Sequence, residues 1–249
     1  MIAQKGSNMI KEALQYVVGL RKPEILNIDG TSYSDKELTE IEPFIHHADP
    51  LSMNTLTSLV EYVREKVDTM GEHMLIHVES PTEVALSGAL DAKRMRERLC
   101  YVQAPVPILH FGHYYDAEEF IIALQSMFIP SADRDLLLRF AGTSEAGTIA
   151  AYGDDGVTQK ATIKQGIVNK EEAIIPNPVC LQPYRTFVEV DQPASQFIFR
   201  MKQEQGMGIR CALFEADGGA WKNQACQNIE QYLKKELSDV TEPRITVIS

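Results

Sequence analysis

Apolar residues recur at helical spacing in five places along the chain. In "NTLTSLVEYVREKVDTMG" (54–71), Leu56, Leu59, Val60, Val63 and Val67 form one stripe, with Asn54 placed to cap the helix and Gly71 to end it. A first helix is predicted over 7–20, where Ser7 caps and Ile10, Ala13, Leu14 and Val17 share a face before Pro23. "FIIALQSMF" and "ADRDLLLRFAG" give two more, the second ending at Gly142. The last long helix begins near Trp221 and aligns Ala225, Ile229, Tyr232, Leu233 and Leu237, with two lysines near its end that suit the helix dipole.

Between these segments the period changes to two. "HMLIHVES", "TEVALSGAL" and "ERLCYVQAP" read as three strands with turns at 80–81 and 91–93, hence an antiparallel meander. Residues 21–50 hold Pro23, Gly30, Pro43 and Pro50 and read as a loop-rich connection. Beyond "GTSEAG" (142–147) come a hairpin around Gly153–Gly156, then "YRTFVEV", "QFIFRMK" and "GIRCALFEA", and a terminal strand, "RITVIS". The expectation is an α+β protein with an N-terminal lobe over 1–142 and a strand-rich lobe over 143–249 closed by the Trp221 helix. There is no internal repeat.

Composition narrows the functional classes. At 249 residues, 44% hydrophobic and 24% charged, the chain can bury a substantial core. No apolar run approaches the roughly 20 residues of a membrane-spanning helix. The N-terminus lacks the basic and apolar regions of a secretory signal, and the four cysteines, Cys100, Cys180, Cys211 and Cys226, fit neither a disulfide framework nor a zinc pattern. Reduced thiols in a cytoplasmic protein are the expectation. A net charge of −11 disfavours nucleic acid and anionic membranes as partners. The local exception is "KRMRER". Lys93, Arg94, Arg96 and Arg98 surround Glu97, and in a strand the three arginines share one face. That face is either a solvated strand edge or a binding surface for an acidic partner or a phosphate backbone.

The densest chemistry is "HFGHYYDAEEF" (110–120). Asp116 and Glu119 stand in the D-x-x-E spacing of a capping box leading into a helix, which accounts for the carboxylates structurally. The six histidines form three pairs, 46/47, 73/77 and 110/113. Strand spacing would hold His73 and His77 about 13 Å apart, too far for one metal ion, so no metal and no cofactor is expected. Glu189/Asp191 and Glu215/Asp217 each place two carboxylates at a strand end, an arrangement that suits Mg²⁺ but also ordinary turns. Gly218 and Gly219 precede the last helix, where exposed N–H groups attract anions. Walker A, G-x-G-x-x-G, G-x-S-x-G and H-E-x-x-H motifs are missing.

The order of the pieces has a precedent. "EILNIDG…LTEIEPF" precedes "MNTLTSLVEYV", followed by "ALSGALDAKRMRERLCYVQAP", "YDAEEFIIALQSMF" and a Gly/Asp hairpin. This arrangement is similar to that of the YfdQ-like family of phage and prophage proteins. The resemblance implies a phage-derived cytoplasmic protein and brings no catalytic residues with it.

The leading expectation is a non-enzymatic accessory protein that forms a homo-oligomer or binds another protein. Its competitors are a metal-dependent enzyme acting on nucleic acid or nucleotides, and a nucleic-acid-binding accessory protein using the "KRMRER" face. "RITVIS" carries one charge, Arg244, and a strand of that kind at a sheet edge invites a neighbour.

Overall fold

The computed structural model describes residues 11–17, 19, 23–28, 31–37, 49–91, 94–145, 149–154, 159–165, 169–204 and 208–249. Ser7, Ile10, His46, His47 and Lys93 lie outside them. The chain divides into two compact units, Met1–His47 and Ala48–Ser249. The first contains helix α1 (residues 11–17) and an antiparallel hairpin of β1 (Ile25–Ile28) and β2 (Thr31–Ser34), in which Leu26 opposes Tyr33.

The second unit is α+β and is built on two hydrophobic cores. A five-stranded mixed sheet runs in the order β14 (Arg244–Ile248), β4 (His73–Ser80), β5 (Glu83–Gly88), β6 (Arg98–Gln103), β3 (Leu51–Met53). The central three strands are the antiparallel meander that the alternation predicts, while β14 and β3 join its two edges in parallel. On β4, Met74, Ile76 and Val78 point inward and their neighbours point out. Two helices, α2 (Leu56–Arg64) and α5 (Ala220–Glu236), supply the rest of this core. Leu56, Leu59, Val60 and Val63 come from α2, and Ile229 and Leu233 from α5.

The second core lies beneath a four-stranded sheet of β11 (Val179–Leu181), β12 (Ser195–Glu204), β13 (Gly208–Glu215) and β7 (Tyr115–Asp116), paired in that order. Helices α3 (Ala117–Met127) and α4 (Ala132–Glu145) fill it with Phe120, Leu124, Leu137 and Phe140. The Phe199 ring lies 5.8 Å from that of Phe120 and 6.1 Å from that of Phe140. A three-stranded antiparallel sheet of β8 (Ile149–Asp154), β9 (Gln159–Gln165) and β10 (Asn169–Ile175) completes the unit, with Ile175 buried in the second core. Each of the two larger sheets takes strands from both sides of residue 142.

Three local expectations are corrected. Helix α2 is capped by Thr55, whose Oγ1 accepts from Ser58 N at 3.1 Å, and it stops at Arg64 rather than running to Gly71. Lys66 adopts the left-handed conformation (φ 49°), and the Tyr62 hydroxyl donates to Asp68 at 2.8 Å, turning the chain away. "YRTFVEV" is an irregular segment instead of a strand, buried at Arg185–Phe187 and exposed at Tyr184 and Val188, and α4 continues past Gly142 to Glu145.

Candidate functional site

The basic stretch does not form the common face that strand alternation would give. Strand β6 begins only at Arg98, and residues 94–97 belong to the turn. Arg94 is left-handed (φ 63°), and Asp91 Oδ1 accepts from Met95 N at 2.7 Å. Arg96 donates to the carbonyl of Gly88 at 3.0 Å. Arg98 pairs with Glu79 at 2.7 Å, its guanidinium 6.0 Å from the Tyr101 ring. The three arginines therefore do three separate local jobs, two of them closing the β5–β6 connection.

The histidines are also dispersed. His73 and His77 lie on the exposed side of β4, and His110 and His113 flank a tight turn in which His113 N donates to His110 O at 3.4 Å. His113 stacks edge-on against Tyr115. Among the described residues no three His, Cys, Asp or Glu side chains are grouped to hold a metal ion. The carboxylates of "HFGHYYDAEEF" cap α3: Asp116 Oδ1 accepts from Glu119 N at 2.8 Å, and Glu119 Oε2 accepts from Asp116 N at 3.4 Å.

The two E-x-D pairs have different fates. Glu189 accepts from Thr57 N at 3.3 Å in the first turn of α2, and the Asp191 carbonyl accepts from Asn228 of α5 at 2.9 Å. Glu215 and Asp217 instead converge on a buried arginine absent from the sequence-based candidates. The Arg185 side chain is only 9% exposed and pairs with Glu215 at 3.0 Å. Arg185 also donates to the Ser195 hydroxyl, which in turn donates to Asp217 Oδ2 at 2.6 Å. The other Asp217 oxygen accepts from Gly219 N at 3.0 Å, so the Gly-Gly turn before α5 already holds a carboxylate. Trp221 Nε1 donates to Glu215 at 3.1 Å, and the indole stacks under the guanidinium at 3.8 Å.

Electrostatics follow this geometry. Burial lowers Arg185 to about 10, against the opposing pull of Glu215 and Asp217. Burial alone would raise Asp217. The Ser195 hydroxyl, the Gly219 and Trp221 N–H groups and Arg185 outweigh it and hold the carboxyl below its usual range. Each side chain in this cluster pairs with another, while Arg185 Nε is buried without a hydrogen-bond partner among the described residues. Ser195 is buried, 3% exposed, and its hydroxyl is tied between a cation and a carboxylate. Glu215 Oε1 faces the guanidinium, and the two Asp217 oxygens accept from the Ser195 hydroxyl and Gly219 N.

The cluster clamps residues 183–194 between the two cores. Gln192, 5% exposed, accepts from Arg185 N (3.0 Å) and Thr186 N (3.2 Å), and its amide donates to Phe187 O at 2.9 Å. Phe187 enters the first core, while the Arg185 guanidinium sits 5.8 Å from Phe197 of the second. The signal for this in sequence is faint: one arginine in the mixed stretch "YRTFVEVD" (184–191), bracketed by two Gln-Pro pairs of which the second supplies Gln192.

Among the sheet edges of the described residues, one ends the chain's five-stranded sheet. Strand β14 terminates the five-stranded sheet, and among the described residues no strand pairs with its outer side. Ile245 and Val247 face the core, whereas Arg244, Thr246 and Ile248 are exposed, Ile248 at 43%. A groove of about 410 Å³ follows this edge, lined by Leu237 and Val240 at the end of α5 and by β14 itself.

No described helix is long and apolar enough to cross a membrane. Comparison with known protein families, curated proteins and solved structures finds no match for this chain.

Proposed function

We propose that this chain is a non-enzymatic accessory protein of the host cytoplasm that works by assembling with other chains, copies of itself first, across the outer edge of β14. The carrying observation is that edge. It presents five residues of extended backbone next to a groove that mixes Leu237 and Val240 with Lys234 and Ser238, with a single charge, Arg244, on the strand. Unpaired strand backbone is a ready template for another strand. The carboxylate and serine chemistry elsewhere is consumed in holding the fold together. The resemblance of the sequence arrangement to phage and prophage proteins is the ground for reading the role as an accessory one.

Light scattering at micromolar concentration tests the proposal. The expected mass is a multiple of 27.9 kDa. Ile248→Lys should reduce it without lowering the melting temperature, because this side chain points away from the core. Deleting residues 244–249 is the harsher variant, since it also removes Val247 from the first core. A parent chain at the monomer mass overturns the proposal.

A further inference from the structure

We infer that two copies join β14 to β14 in antiparallel fashion about a two-fold axis at Thr246, merging their five-stranded sheets into one. This rests on the self-assembly proposed above and specifies its symmetry and register.

The choice of edge comes first. The opposite edge, β3, offers three residues against the five of β14. Pairing β14 of one copy with β3 of the next would be heterologous and would leave an open edge at each end of a growing chain. Pairing β14 with itself closes in a single contact.

Register follows from side-chain direction. Residues opposed in an antiparallel ladder face the same side of the sheet, so the axis must pass through a residue rather than between two. An axis at Ile245 opposes Val247 to Pro243, which has no N–H to give. An axis at Val247 pairs only residues 246–248 within the strand. The axis at Thr246 uses the whole of β14, opposing Arg244 to Ile248 and Ile245 to Val247.

The chemistry of that register is self-complementary. On the core side, Ile245 of one copy meets Val247 of the other, an apolar pair beside a groove lined by Leu237 and Val240 together with Lys234 and Ser238. On the outer side, the methylene stem of Arg244 lies over the exposed Ile248 of the other copy. The two Arg244 residues sit four residues apart along the ladder, about 13 Å, which limits their repulsion.

Cysteine cross-linking reads the register directly. In a Cys180→Ser background, which removes the exposed native thiol, Thr246→Cys places two thiols opposite each other. Cβ atoms of opposed residues lie about 4.5–5.5 Å apart, close to what a disulfide spans. Mild oxidation of the folded protein should convert most of Thr246→Cys to a covalent dimer. Ile248→Cys alone should stay reduced, and the double variant Arg244→Cys/Ile248→Cys should cross-link, providing a second readout of the same register. An oligomer in which Thr246→Cys and the double variant both stay reduced would overturn the two-fold register while leaving self-assembly intact. A 27.9 kDa monomer with no cross-link would overturn both.

Discussion

The Arg185 guanidinium lies 3.8 Å from the centre of the Trp221 ring while pairing with Glu215 at 3.0 Å, and Trp221 donates to that same carboxylate. Cation, ring and anion thus form a closed triangle joining the 183–194 segment, the end of β13 and the first turn of α5. A lysine at position 185 keeps the charge but loses the planar stack and the two-pronged hydrogen bonding. Arg185→Lys should therefore cost about 2–4 kcal/mol from lost stacking and one lost charge-assisted bond. Trp221 is the sole tryptophan, so its emission should shift to the red in the folded variant. An unchanged denaturation midpoint would show that the triangle contributes nothing to stability.

Asp217 makes this cluster sensitive to acid. Its carboxyl is held below the usual range in the folded chain, whereas an unfolded aspartate titrates near ~3.9. The sign is therefore fixed. The stabilisation is complete above the unfolded value and is lost as pH falls from there through the folded one. Asp217→Asn should be less stable than the parent at pH 7, and its melting temperature should fall less steeply below pH ~4. Parallel acid limbs for the two proteins would assign the acid sensitivity to other carboxylates.

How much of this was legible in the sequence depends on the range of the forces involved. The β4–β6 meander, the Asp116 capping box and the Ile229 stripe of α5 are local patterns, and each appears where spacing places it. Parallel pairing of β14 with β4 leaves no local trace, because it joins segments far apart in the chain. The alternation of "YRTFVEV" imitates a strand, yet Arg185, Thr186 and Phe187 are all buried. The tertiary partners Gln192, Ser195, Glu215 and the Pro81 carbonyl make that burial tolerable. The arginines at 94, 96 and 98 were misleading for the opposite reason: their regular spacing suggests a shared face, but the turn from Asp91 to Glu97 sends each to a different neighbour.

The capping box gives a purely structural prediction for the most chemically dense stretch of the chain. Asp116→Ala removes the acceptor for Glu119 N and should cost about 0.5–2 kcal/mol. Glu119→Gln retains a side chain able to reach back to the Asp116 backbone and should cost less. Thermal melts of the two variants check the order. Neither should change the assembled mass, since β7 and α3 lie in the other sheet from β14.

The four cysteines offer a map of which parts of the molecule open. Cys180 is exposed on β11, whereas Cys100 and Cys211 are fully buried, one in each core. Burial pushes the Cys100 thiol up to about 11 and the Cys211 thiol up to about 12, and it also raises the half-buried Cys226. The thiolate is the reactive form, so two effects coincide at the buried sites: little thiolate and no access. At pH 8, iodoacetamide should modify Cys180 first and Cys226 slowly, and Cys180→Ser should abolish the fast adduct. Cys100 and Cys211 should react only as fast as their cores open. Denaturant titration should then expose the two together if the cores unfold as one cooperative unit, as the clamp through Arg185 and Gln192 requires. Arg185→Lys should uncouple them, with one buried thiol labelled at lower denaturant than the other. Mass spectrometry of each peptide separates these cases. Independent labelling of Cys100 and Cys211 in the parent protein would mean that the segment spanning the cores does not couple their unfolding.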